Sequence, residues 1–172
     1  MTEIDWDKVL ELCDSLAETY HKGQTRWNND PYITHPRRIA ESFANPTDTS
    51  VFDNENIYYD GGKYYNRIML RCIALLHDVL EDCPVTVDEL AKQGVPSEVL
   101  WPVIILTKLP GEDYLSYLLR LLATRNMYAI LVKIHDIQDN LRDLHTYDNS
   151  RKQIDRYNMA MHIIKQGIQS YA

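Results

Sequence analysis

Cysteine is scarce in this sequence, and the few present are poorly placed for a covalent or zinc framework. Cys13, Cys72 and Cys83 are the only three in 172 residues, with no CxxC pair, and an odd, sparse set is no disulfide scaffold. A reducing, cytoplasmic setting is therefore expected. Positive charge is not in excess either. Eighteen Lys and Arg against 25 Asp and Glu leave a formal net charge of -7, which argues against broad binding to DNA or RNA and leaves room only for a local basic pocket. No apolar run approaches the roughly 18 residues of a membrane-spanning helix. The opening Met-Thr-Glu-Ile-Asp-Trp-Asp lacks a basic segment followed by an apolar stretch, so no signal peptide is expected. Internal repeats and low-complexity tracts are missing, and strand signals are weak. Even the partly β-branched Val103 to Leu106 sits in a helical context.

What remains is an ordinary globular composition, 45% hydrophobic and 25% charged, sufficient for one domain over residues 1–172 around one core. Between Trp6 and Lys22, Val9, Leu10, Leu12, Cys13, Leu16, Ala17 and Tyr20 recur at gaps of three and four, the mark of an amphipathic helix. Gly23 is a fitting stop, and Gln24 to Tyr32 reads as a loop. A short helix is expected from Thr34 as N-cap, with Pro36 in its first turn and Ile39, Ala40 and Phe43 facing inward. Asn45 to Gly62, with Pro46, Gly61 and Gly62, reads as a long loop insertion. A central, mostly buried helix is expected from about Lys63 to Asp82, ended by Pro84. Thr86 with Glu89 forms a capping box for a short helix through Ala91. Further helices are expected over residues 97–107, 112–124, 127–144 and 150–171. The fold class is all-α.

The chemistry concentrates in Ile73-Ala-Leu-Leu-His-Asp-Val-Leu-Glu-Asp82. Four ionisable groups follow an apolar helix. On one continuous helix His77 pairs with Glu81 and Asp78 with Asp82 at i,i+4, on faces about 100° apart, so all four can converge on one pocket. Burying them unpaired is costly, and a cation removes the objection. A His-Asp dipeptide alone is usually a helix end meeting water. Two further segments change that: Pro31-Tyr-Ile-Thr-His-Pro36 places His35 at a helix start, and Val132-Lys-Ile-His-Asp-Ile-Gln-Asp-Asn-Leu141 interrupts an apolar helix with charge, Asp136 and Asn140 sharing a face. His35, His77, Asp78 and Asp136 together offer two imidazoles and two carboxylates. That set suits manganese, iron, cobalt, nickel or zinc better than calcium.

The ordered motif of a lone His, then His-Asp, then a distant Asp resembles the HD-domain phosphohydrolases. It is closer still to the hydrolase domain of RelA/SpoT-type enzymes and stand-alone small alarmone hydrolases. Gly23-Gln-Thr-Arg26 and Leu106-Thr-Lys108 join the segments above in the family's order, over about residues 10 to 145. The resemblance implies a compact single-domain helical fold, and His35, His77, Asp78 and Asp136 as ligands of one divalent ion, usually manganese; in a sequence of 172 residues no synthetase domain is expected after it. It implies Glu81 and Asp82 as the carboxylates that serve the attacking water, and Arg26 and Asn140 as nucleotide contacts. Three departures stand out. Trp27 replaces a lysine, His35 to His77 spans 42 positions, more than the family's usual spacing, and the usual Ala-Asp-Arg-Leu-His-Asn pattern reads His135-Asp-Ile-Gln-Asp-Asn140.

The expected activity is therefore hydrolysis of a phosphorylated nucleotide, foremost removal of 3′-pyrophosphate from a (p)ppGpp-like alarmone. Alternatives are (p)ppApp, a deoxynucleoside phosphate, the 2′-phosphate of NADPH, or a nucleotide-sensing module without turnover. Trp27 could stack on a purine, and Tyr58, Tyr59, Tyr64 and Tyr65 read first as packing or interface around the long loop. Lys22, Lys108 and Arg142 read as surface charges, and His135 should diverge from Asp136. The partner is a small nucleotide, not nucleic acid or membrane, with homo-oligomerisation left open.

Overall fold

The computed structural model describes residues 4–44, 67–144 and 150–171. The described residues form nine helices: α1 Trp6–Tyr20, α2 Thr34–Ser42, α3 Arg67–Leu76, α4 Val79–Asp82, α5 Val87–Lys92, α6 Ser97–Leu106, α7 Tyr114–Ala123, α8 Met127–Leu144 and α9 Arg151–Gln169. Among these residues there is no strand, only an antiparallel bridge between Thr25 and Pro31 that pins the loop before α2. The all-α expectation holds. The loop expected over 45–62 and its flanking tyrosines lie outside the described residues.

Local chemistry sets most helix ends. Asp5 caps α1 by accepting the Lys8 amide, and Gly23, at φ 83°, takes the left-handed conformation just past the helix. Thr86 accepts the Glu89 amide while Glu89 reaches back to the Thr86 amide, the reciprocal box expected from sequence. Thr34 is not the N-cap of α2. It is the first helical residue, Ile33 precedes it without a side-chain cap, and the Thr34 hydroxyl donates to the Pro31 carbonyl.

α3 is the centre of the fold. Leu70, Cys72, Ile73, Ala74, Leu75 and Leu76 are all buried, the composition of a helix covered on every side. It packs against α1, α2, α6 and α8. Burying each large aliphatic side chain is worth about 1.5–3 kcal/mol, so the core anchors α3 firmly and fixes the position of its C-terminal end. At that end the helix breaks. The helix expected through Asp82 stops at Leu76, a turn holds His77 and Asp78, and α4 resumes at Val79. At that turn the His77 Nδ1–H donates to the Ala74 carbonyl at 2.7 Å, the acceptor that the Asp78 amide would use in an uninterrupted helix. The interruption delivers both side chains of the His-Asp pair to the same side.

Candidate metal and phosphate site

Three chain segments meet at the end of α3. The loop before α2 and its first turn supply Tyr32 and His35, the α3–α4 turn supplies His77 and Asp78, and α8 supplies Asp136 and Asn140. His35, His77 and Asp136 are buried and each offers a ligand atom, all within 4.8 Å of one another. His35 Nε2 lies 3.1 Å from Asp136 Oδ1 and 3.9 Å from Asp78 Oδ2. His77 Nε2 lies 2.9 Å from Asp78 Oδ2 and 3.7 Å from Asp136 Oδ1.

The tautomers follow from the other ring nitrogens. Ala74 offers only a carbonyl to His77 Nδ1, so that nitrogen carries the hydrogen. His35 Nδ1 meets the Asp139 carboxylate at 2.7 Å, again an acceptor. Both Nε2 atoms are thereby turned toward the same two carboxylates, and His77 Nε2 is buried without a hydrogen-bond partner. Two imidazole lone pairs facing two carboxylates repel unless something positive sits between them. A proton answers that need: burial would push His77 down, but Asp78 and Asp136 outweigh it and raise its pKa to about 10. Burial likewise pushes Asp136 up, yet Lys133 and the two histidines hold it well below the usual carboxylate range. A divalent cation answers the same need with the same donors, so the residues present fit a metal ion.

Around this centre the hydrogen bonds close up. Asn140 donates to Asp136 Oδ1 at 2.6 Å and Lys133 pairs with Asp136 Oδ2 at 2.7 Å. Arg26 is buried; its Nη2 donates to Asn140 Oδ1 at 3.0 Å and pairs with Asp143 at 3.1 Å, while its Nε–H has no protein partner. Tyr32 bridges two acids, donating to Asp78 Oδ2 at 2.6 Å and to Asp82 Oδ2 at 3.3 Å. Burial, then the charges of Asp78 and Glu81, raise the Asp82 carboxyl above its ordinary value.

Of the residues expected from sequence, His35, His77, Asp78, Asp136, Asn140 and Arg26 converge, and Asp82 joins them through Tyr32. Glu81 does not share a face with His77. The break turns it outward, where its carboxylate accepts the Lys108 amide at 3.0 Å. Trp27 is 44% exposed, with the Arg26 guanidinium 4.7 Å from its ring centre. His135 diverges from Asp136 as expected, packing on Phe43 and meeting Ser42 at 2.6 Å. Arg142 is exposed, paired with Asp139. Sequence reasoning missed Tyr32, Lys133 and Asp139. Tyr32 lies inside the motif around His35, and Lys133 and Asp139 are each three residues from Asp136 on α8, so helical spacing could have found them.

A buried His/Asp pocket at a break in the central helix of an all-α fold marks an HD-domain protein. No protein-family model matches the chain. Curated relatives include a guanosine-3′,5′-bis(diphosphate) 3′-pyrophosphohydrolase of Haemophilus influenzae, 30% identical over 139 residues, 75% of this chain and 18% of that protein, and one of Aquifex aeolicus, 30% identical over 160 residues, 89% of this chain and 20% of that protein. The chain thus spans about a fifth of the length of these relatives. A solved structure described as a metazoan ortholog of SpoT that hydrolyses ppGpp has the same fold, with a TM-score of 0.67 at 21% identity over 98% of this chain and 88% of that one. The chain is a homologue of the RelA/SpoT-type HD hydrolases.

Proposed function

We propose that this chain is a divalent-metal phosphohydrolase that removes the 3′-pyrophosphate from a (p)ppGpp-like alarmone in the cytoplasm. The observation that carries the reading is the pair of Nε2 atoms facing the Asp78 and Asp136 carboxylates in one buried pocket. The activity named for relatives at 30% identity supports the substrate class. His35, His77, Asp78 and Asp136 would hold the ion, and manganese suits the donor set. A bound divalent ion supplies Lewis-acid chemistry, lowering the pKa of water and offsetting charge on phosphoryl oxygens.

The chain's own groups do the rest. Asp82, made more basic by burial and by its acidic neighbours, accepts a proton from the attacking water. Tyr32 keeps Asp82 beside Asp78, and Glu81, turned outward but with its charge still acting on Asp82, helps orient the water. Arg26 presents its unpartnered Nε–H to a phosphate, with Asn140 set between it and Asp136. Attack forms a bond from the water oxygen to phosphorus and breaks the one from phosphorus to the ribose 3′ oxygen, which leaves as the hydroxyl after taking a proton from solvent, while the pocket's cationic groups offset charge on the phosphoryl oxygens.

The exposed Trp27 ring, where the family carries a lysine, favours a second reading in which a different nucleotide is bound: (p)ppApp, a deoxynucleoside phosphate or NADPH. A pure sensor has no use for Asp82. Assay of ppGpp, ppApp, deoxynucleoside triphosphates and NADPH with Mn2+, with product identification, tests the assignment. Pyrophosphate release with the highest kcat/KM on the guanosine substrate is expected. Inorganic phosphate alone assigns a phosphatase, and binding without products assigns a sensor.

A further inference from the structure

We propose that Asp139, clamped by Arg38, is a positioning residue for the cation pocket: it fixes His35 in the tautomer and orientation that present Nε2 to the ion. The proposal rests on the metal-site reading above. The His35 ring is gripped at both ends by one helix. Asp136 Oδ1 is 3.1 Å from Nε2 and Asp139 Oδ2 is 2.7 Å from Nδ1, and the two acids are one turn apart on α8. An ionised carboxylate only accepts, so Asp139 places the ring hydrogen on Nδ1 and leaves the Nε2 lone pair for a cation. His77 achieves the same result with a backbone carbonyl held by α3. His35, in the first turn of α2, uses a side chain instead, and a side chain must itself be held.

Arg38 holds it. Its Nε donates to Asp139 Oδ1 at 2.8 Å and its Nη2 to Oδ2 at 2.6 Å, a planar two-point contact. Arg38 lies one turn after His35, so α2 supplies both the imidazole and the clamp on the imidazole's partner. Arg142 adds a third contact to Asp139 at 3.0 Å. With two guanidiniums on it, Asp139 brings little net negative charge to the pocket; its contribution is directional. Arg38 also reaches Asp143 at 2.9 Å. Asp143 pairs with Arg26, Arg26 with Asn140, and Asn140 with Asp136. The contacts close a ring around His35 that ties the cation ligands to the phosphate-facing arginine.

Mn2+ binding to the full chain, freed of metal by chelator, is measured by calorimetry, and Co2+ loading by visible absorption. Asp139→Ala is expected to weaken Mn2+ binding about 10- to 100-fold and to change the Co2+ band. Asp139→Asn, whose amide oxygen still accepts the Nδ1 hydrogen but whose NH2 group meets the Arg38 Nε–H in place of an acceptor, is expected to fall between Asp139→Ala and wild type in affinity and to keep the wild-type band. Arg37→Ala removes an equally two-pronged ion pair, to Asp14, from the same helix and is expected to change neither. Wild-type affinity in Asp139→Ala overturns the proposal. Equal losses in the Ala and Asn variants also overturn it, because the acceptor kept for the Nδ1 hydrogen then contributes nothing. Should Asp139→Ala fail to fold, Arg38→Ala is read in its place: several-fold weaker Mn2+ binding supports the clamp, and wild-type binding overturns it. His77→Ala separates this proposal from the metal site. If wild type does not bind Mn2+, or His77→Ala binds as wild type does, the site itself falls. If only Asp139→Ala is unaffected, the role of Asp139 falls alone.

Discussion

His35 and His77 are built alike, each committing Nδ1 to an acceptor and turning Nε2 on the same two acids. This likeness has a direct consequence for mutation. Asp78→Ala removes a carboxylate near both imidazoles and should abolish Mn2+ binding and hydrolysis together; wild-type turnover in that variant would sink the site. The carboxylates proposed to handle the water should behave differently. Asp82→Asn should bind Mn2+ normally and lose about 10²- to 10⁴-fold in kcat, the range for removing a general base. Glu81→Gln, whose carboxylate is engaged by the Lys108 amide, should lose less. The reverse order in a side-by-side kcat measurement would exchange the two roles. The order of His35, His77, Asp78 and Asp136 in the sequence marked the side chains that converge in the pocket. It did not display Tyr32, because a tyrosine beside a proline carries no signal of its own until Asp78 and Asp82 come within reach of its hydroxyl.

At the level of elements, helical periodicity was a good guide wherever one face is buried. α8 begins and ends where the apolar spacing places it, at Met127 and Leu144. The spacing failed at the functional break, where His77 takes the Ala74 carbonyl: side-chain competition for a backbone acceptor leaves no trace in an apolar pattern. The capping box on α5 was readable and should be measurable. Thr86→Ala should lower unfolding stability by about 1 kcal/mol in urea denaturation, and no change would mean that the box is only geometric. The turn from α6 to α7 is held by Glu112, which takes Arg120 at 2.8 and 2.9 Å. Those hydrogen bonds keep the Glu112 carboxyl below its ordinary range. A depressed carboxyl stabilises the fold fully above its unfolded pKa of about 4.3 and loses that contribution as pH falls through the lower folded value. Glu112→Gln should therefore be less stable than wild type at pH 7, with the gap narrowing in acid; a gap independent of pH would mean that the ion pair contributes nothing to it.

For the molecule as a whole, the site exists only because α2, the α3–α4 turn and α8 pack on one another, joining residues a hundred positions apart. Such long-range meetings are not written in local periodicity. They became visible in the sequence through the order of motifs shared with a family, and the metazoan structure shares the fold. The proposed reaction is metal-dependent cleavage at phosphorus between the ribose 3′ oxygen and pyrophosphate. It is tested by ³¹P NMR of ppGpp incubated with the chain in ¹⁸O-enriched water, with Mn2+, with chelator, and with Asp78→Ala. Pyrophosphate carrying the ¹⁸O label, formed only by wild type with Mn2+, is the expected result. Inorganic phosphate as the sole product, label in the nucleotide, or equal turnover in chelator would contradict it.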